Sequence, residues 1–247
     1  MIADSIARQG SWFFRWRSYV LLGFAPLVYL VVTQPEPIET TFGPAADTLF
    51  ESVCIALAFL GLAIRAYTVG HVPAGTSGRN TARQVADTLN TTGLYSLTRN
   101  PLYLGNAVIY MAVACFLQNI WFAVLMLLFL IVYLERIIAT EEKFLAGKFG
   151  DDYRNWAAEV PAFFPRLTGW RAPKLPFSFR NVLRREYSGL FAIIAVFFVL
   201  DQSREYLAES KIALDPNWLA ALAIGALAYV LLRWAKKRTR LLNVAGR

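Results

Sequence analysis

Apolar residues in this chain neither alternate nor recur along one helical stripe. They fill long runs bounded by charge, Gly or Pro. A helix that crosses a bilayer needs about 20 mostly apolar residues, and six runs are candidates: Tyr19 to Val32, Leu49 to Val69, Leu102 to Leu117, Ile120 to Leu134, Tyr187 to Leu200 and Trp218 to Leu232. Only the second has the full length by itself. Trp12, Phe13, Phe14 and Trp16 are expected to extend the first, with Arg15 and Arg17 snorkelling to the interface. The fifth is the weakest of the six. Between the third and fourth runs stand only Gln118 and Asn119, so these two must form a tight antiparallel hairpin whose other ends share one side of the membrane. The expected class is all-α: a polytopic integral membrane protein of about six transmembrane helices. No small-residue cleavage site follows the first apolar run, so a cleaved signal peptide is not expected.

Composition agrees. The chain has 247 residues, 57% hydrophobic and 17% charged, with a mean hydropathy of +0.43, whereas soluble domains carry about 25% charged residues. That sets aside a soluble enzyme, and the hydropathy sets aside disorder. The net charge of +8 would suit nucleic acid only if Lys and Arg were clustered on a polar surface; here they sit between apolar runs, and no nucleic-acid partner is expected. With the N-terminus inside, every Lys and Arg except Arg204 and Lys211 falls in a cytoplasmic segment. The positive-inside rule then puts both termini in the cytoplasm, and the expected location is a bacterial inner membrane. Cys54 and Cys115 lie inside apolar runs and read as packing residues. With His71 the only histidine, no metal site is expected.

Two inner segments, Gly70 to Pro101 and Glu135 to Glu186, are far longer than connectors need to be, and long loops are commonly functional. The first holds Gly75-Thr76-Ser77-Gly78-Arg79-Asn80, either a plain surface loop or a wrap for an anion through backbone N–H groups. Thr81 with Gln84 predicts a short helix to Leu89, and Asn90 to Gly93 a turn. Then comes Gly93-Leu94-Tyr95-Ser96-Leu97-Thr98-Arg99-Asn100-Pro101-Leu102-Tyr103-Leu104-Gly105-Asn106. Pro101 suits the first position of the third membrane helix. Arg99 and Asn100 precede that start, where an anionic group is favoured, and Gly105 permits close approach of a ligand or another helix. In the second segment Glu135, Arg136, Thr140, Glu141 and Glu142 end the fourth helix. Glu141 and Glu142 point about 100° apart on a helix, so they are no acid–base pair. One reading gives them Lys143 and Lys148 as solvated partners; the other turns one of them to a ligand. Phe149-Gly150-Asp151-Asp152-Tyr153, Trp156 and Val160-Pro161-Ala162-Phe163-Phe164-Pro165-Arg166 follow.

Taken together these residues resemble the membrane methyltransferase family that includes the isoprenylcysteine carboxyl methyltransferases and the phospholipid N-methyltransferases. The family pattern is matched by Gly93 and Tyr95, by Arg99, Pro101, Tyr103 and Gly105, by Glu141 and Glu142, by Phe149, Gly150 and Tyr153, and by Val160 with Pro161. The resemblance covers about Leu89 to Pro165. It implies S-adenosylmethionine at the cytoplasmic ends of the hairpin helices, its methyl aimed at a bilayer-facing cavity. Cofactor contacts are then expected from Tyr95, Arg99, Asn100, Tyr103, Gly105, Glu141 and Glu142. Two positions depart from the pattern: Asn100 stands for the motif histidine and Ala162 for the final arginine. The Gly75 to Thr81 stretch, with Asn90 to Gly93, looks like the subgroup of bacterial lipid A 1-phosphate O-methyltransferases.

The implied reaction is methyl transfer to an anionic oxygen of a membrane lipid. Such an oxygen is already ionised, so no general base is required, and Arg79, Arg83 and Arg136 are the candidates to hold the lipid anion. Isoprenylcysteine carboxyl methylation is an alternative. So is an NADPH-dependent reductase of the membrane sterol type, which carries a related motif, and so is an inactive lipid-binding relative. Three units are expected: 1–88 with two membrane helices and a loop, 89–169 as the methyltransferase core, and 170–247 with the last two helices and a basic tail.

Overall fold

The computed structural model describes residues 2–17, 19–76, 86–209 and 215–247, and among them no residue is in a strand. The helices are α1 (Ile2–Trp16), α2 (Ala25–Val32, preceded by the 3-10 turn Val20–Phe24), α3 (Pro37–Phe42), α4 (Pro44–His71), α5 (Pro101–Phe116), α6 (Ile120–Phe149), α7 (Asp151–Glu159), α8 (Phe179–Glu209) and α9 (Pro216–Arg238). Four stretches are long and apolar enough to cross a membrane: Val20–Phe42, Pro44–His71, Ile120–Phe149 and Pro216–Arg238. α5 is apolar but shorter; at 1.5 Å per residue its 16 residues reach roughly 24 Å. α8 is long, but Arg184, Arg185 and Glu186 near its start and Asp201, Arg204 and Glu205 near its finish dilute its apolar middle. The polytopic all-helical class expected from the sequence holds.

The described chain passes between two ends of a bundle. One end gathers the motif residues, and the other holds the Gln118-Asn119 turn. That turn is as tight as expected: Gln118 adopts φ +53°, an unusual conformation for a residue with a side chain. Its amide fixes it there. Nε2 donates to Asp47 Oδ1 at 2.5 Å, and Oε1 accepts from the Ile38 backbone at 3.1 Å. Asn119 then caps α6 by accepting from Phe122 N at 2.9 Å. At the same end Arg204 of α8 pairs with Glu36 and Glu51, tying α8 to α4.

The aromatic extension of the first membrane helix is corrected. Trp12, Phe13, Phe14 and Trp16 belong to α1, which ends before Val20–Phe24 and lies along the far half of α6. Phe13 meets Tyr133 edge-on at 5.5 Å, and a side chain at Gly10 would overlap the Arg136 carbonyl and Thr140. The break lets the chain follow α6, since Phe24 next meets Phe129 at 4.8 Å.

α4 and α5 cross at glycines. A Cβ on Gly61 would lie 2.6 Å from the Gly105 carbonyl, and one on Gly105 would lie 2.6 Å from both the Gly61 carbonyl and Arg65 Cγ. Such small-residue contacts let helix backbones approach where lipid provides no hydrophobic drive. Gly61→Ala and Gly105→Ala are therefore each expected to cost about 1–3 kcal/mol through overpacking. Gly147→Ala, with open space around it, should be neutral or slightly stabilising. Thermal unfolding in detergent gives the ranking.

Candidate functional site

The motif around Arg99 is knitted to the segment after α7. Gly93 N donates to Arg171 O at 2.8 Å, Arg99 N to Pro161 O at 2.9 Å, and Arg166 N to Leu97 O at 3.0 Å. Thr98 Oγ1 donates to Phe163 O at 2.8 Å. Gly93 holds its place at φ +62°, where a side chain is strained. Motif pieces some 60 residues apart in sequence are thus the two halves of one backbone contact.

Arg99 is the centre of that contact. Nε and Nη2 both reach Glu142 Oε1 at 2.8 Å, while Nη1 donates to the carbonyls of Ala157 at 2.6 Å and Val160 at 2.8 Å. Four of its five N–H groups are committed to the protein itself. Arg99 and Glu142 were expected to contact a cofactor; they pair with each other, and Arg99 also lines the cavity beside them. Glu142's partner is also neither Lys143 nor Lys148, as a solvated helix end would have had it. Asn100 donates through Nδ2 to Ala162 O at 2.9 Å, so the two departures from the family pattern touch. Tyr103 donates to Glu141 Oε1 at 2.8 Å. Trp156 Nε1 reaches Tyr95 O at 3.3 Å and its ring packs on Tyr153. Burial, with the Glu142 carboxylate close by, pushes the Tyr153 phenol above its usual range.

Beside this contact opens a cavity of about 1550 Å³. Tyr95, Arg99, Asn100, Tyr103, Glu141 and Trp156 line its motif end; Leu21, Phe24, Ile109, Val113, Met126 and Ile193 line its body. Gly105 is not on the wall, being spent on the crossing with α4. Arg136 is not on it either: its Nε donates to Gln9 at 3.0 Å and its Nη1 pairs with Glu135 at 3.3 Å, on the face of α6 that α1 covers. Arg79 and Arg83 lie outside the described residues, as does most of the short helix expected from Thr81 to Leu89, whose described end, residues 86–89, is not helical. His71 is held at Nδ1 by Leu175 O at 2.9 Å, against Phe177.

The sequence reading missed Arg17, Arg65, Asn106, Arg185 and Glu186, all on the cavity wall. Arg65 and Glu186 lie within or beside apolar runs, where an ionisable group marks a functional position with a partner; that was the signal available. At the turn end, Glu36, Asp47 and Glu51 each offer an oxygen within 4.8 Å of the others, but Arg204 already supplies the opposing charge.

Residues 52–152 match the family described as phospholipid methyltransferase, so the resemblance expected from the motifs over Leu89 to Pro165 holds as far as Asp152; Tyr153, Val160, Pro161 and Ala162 lie beyond the match. The match is to the family and does not single out the lipid A subgroup. The chain is also similar to the cobalt-zinc-cadmium resistance protein CzcN of Cupriavidus metallidurans, 40% identical over 86 residues, which are 34% of this chain and 39% of that protein. The nickel-cobalt-cadmium resistance protein NccN of Alcaligenes xylosoxydans xylosoxydans is 30% identical over 128 residues, 51% of this chain and 56% of that protein. The matched part of this chain thus spans little more than half the length of these relatives at most. No solved structure matches.

Arg99→Ala leaves Glu142 and two carbonyls without their donor, and is expected to cost about 1–3 kcal/mol. Glu142→Ala should cost less, and the double variant should fall short of the sum, because one contact is counted in both singles. Faster exchange of the backbone amides at positions 99 and 160 in Arg99→Ala, read by hydrogen–deuterium exchange, checks that the loss is located there.

Proposed function

We propose that this chain is an S-adenosylmethionine-dependent methyltransferase that acts on an anionic oxygen, phosphate or carboxylate, of a membrane lipid. The observation that carries this reading is a single cavity, polar where the motif residues gather and apolar along its body. Pockets for one small ligand measure about 300–1,000 Å³; at about 1550 Å³ this one has room for a donor and for part of an acceptor chain. Four arginines line it, Arg17, Arg65, Arg99 and Arg185, against the carboxylates of Glu141 and Glu186 on the wall and that of Glu142, paired with Arg99. That balance favours a negative acceptor over a cationic one.

The residues at the motif end fit the cofactor that the family implies. Glu141 offers a carboxylate suited to ribose hydroxyls or an amino group, steadied by the Tyr103 hydroxyl at 2.8 Å. Tyr95 and Trp156 add aromatic surface and Asn100 an amide. Bound there, S-adenosylmethionine would supply an electrophilic methyl group whose transfer releases a neutral thioether. Arg99 and Glu142 hold the wall in shape. An anionic oxygen needs no deprotonation, so the remaining work is positioning and the exclusion of water.

Arg136 is not proposed again as an anion ligand. Arg79 and Arg83 remain candidates, because Thr76 and Ala86, on either side of them in sequence, both line the cavity. The charge asymmetry supports a cytoplasmic motif end, with both termini on that side of a bacterial inner membrane. A lipid A 1-phosphate and an isoprenylcysteine carboxylate both present the required oxygen.

Purified protein in detergent is expected to bind S-adenosylmethionine and not NADPH in isothermal titration. Glu141→Ala should weaken that binding at least about tenfold and Tyr103→Phe less, in keeping with loss of a charged and of a neutral partner. Labelled methyl should appear in a lipid extract as an ester, identified by mass spectrometry. NADPH binding in place of the methyl donor would overturn the reading.

A further inference from the structure

α8 lies outside the stretch that matches the methyltransferase family, yet it walls the cavity from Arg185 to Leu207. Near its start Glu186 receives two hydrogen bonds from Arg65 of α4: Nε to Oε2 at 3.0 Å and Nη2 to Oε1 at 2.8 Å. Arg65 Nη1 also donates to Asn106 Oδ1 of α5 at 2.8 Å. The Glu186 side chain is 5% exposed and that of Arg65 15%. Three helices meet in this one cluster, and all three residues line the cavity.

Cohesion alone does not account for it. A buried ion pair is commonly no better for stability than apolar residues of the same volume, and Gly61 and Gly105 already bring α4 and α5 together. What the cluster adds is a fixed orientation. A guanidinium has donors only, so the Asn106 oxygen must face Arg65, and its amide nitrogen becomes the outward donor. Asn106 follows Tyr103 by three residues on α5, which places their Cβ atoms about 5–6 Å apart on one face. The amide therefore stands one turn deeper into the bundle than the Tyr103–Glu141 pair. Arg185, next to Glu186, adds positive charge on the same wall.

We propose that Asn106 is the headgroup ligand of the acceptor: its amide donates to an anionic oxyacid group, while Arg65 and Glu186 are positioning residues that lock the amide as a donor. The acceptor's apolar chain runs along Gly189, Ile193, Val196 and Leu200 of α8. This rests on the methyl-transfer reading for the identity of the acceptor, but the headgroup site is measurable without turnover.

The test uses the full chain in detergent micelles with three probes: dioleoyl phosphatidate, N-acetyl-S-farnesyl-cysteine and dioleoyl phosphatidylethanolamine. Binding of each is scored by native mass spectrometry, and that of S-adenosylmethionine separately by titration. The wild type is expected to bind one or both anionic probes in preference to phosphatidylethanolamine; which of the two distinguishes a phosphate from a carboxylate headgroup. Asn106→Asp, which turns the donor into a like charge, should weaken the anionic probe at least about tenfold while leaving methyl-donor affinity within about twofold. Glu186→Gln, close in shape, should weaken it less and raise the acceptor KM more than it lowers kcat. Anionic binding that survives both Asn106→Asp and Asn106→Ala overturns the proposal. So does a loss of lipid and methyl-donor binding together, which marks a purely structural cluster. A wild type that binds anionic lipid through Asn106 but takes no methyl donor supports the headgroup site and sinks the methyl-transfer reading alone.

Discussion

One guanidinium organises the motif end. Arg99 holds a carboxylate from α6 and two carbonyls from the end of α7, and it stands immediately before the helix that begins at Pro101. A charge placed among half-buried groups is stable only if its donors are satisfied. Here the satisfaction fixes where α5 begins, how α7 folds back, and which way Glu142 points. With Glu142 drawn to Arg99, its neighbour Glu141 is turned by about 100° toward Tyr103 and the cavity. The adjacency of two glutamates, which looks redundant in a sequence, is a division of labour between a wall and its lining.

The cavity follows from the same economy at the scale of the bundle. Helix ends carry the polar residues, and antiparallel passage brings the ends of α4, α5, α6 and α8 to one level, so that Arg65, Asn100, Glu141 and Glu186 converge without any one segment being polar along its length. The apolar middles of those helices then continue the lining away from that level. A two-character chamber results from helices that individually obey only the rule of apolar centre and polar ends.

Much of this was legible in the sequence. Four of the six expected membrane runs were, because apolar length is a property of a single segment; the third is short and the fifth is broken by charge at both ends. The hairpin turn at Gln118 was, because two residues leave no alternative. The motif from Gly93 to Gly105 was readable as a unit, and so was its link to Glu141 and Glu142. Contacts made by backbone carbonyls were not: the acceptors at Ala157, Val160 and Ala162 carry no signature in residue type. Nor was the facing of Arg136, which depends on α1 packing over that side of α6, and α1 looks in sequence like the start of the first membrane helix. Arg65 and Glu186, 121 residues apart, read as separate charges until the fold makes them partners.

The Asn100 link has a consequence for what position 162 tolerates. Its acceptor is the carbonyl of residue 162, which every amino acid possesses, so the side chain at 162 is irrelevant to the bond. A substitution at 162 that keeps the backbone path therefore leaves the acceptor in place, and the side chain at 100 alone decides whether the bond is made.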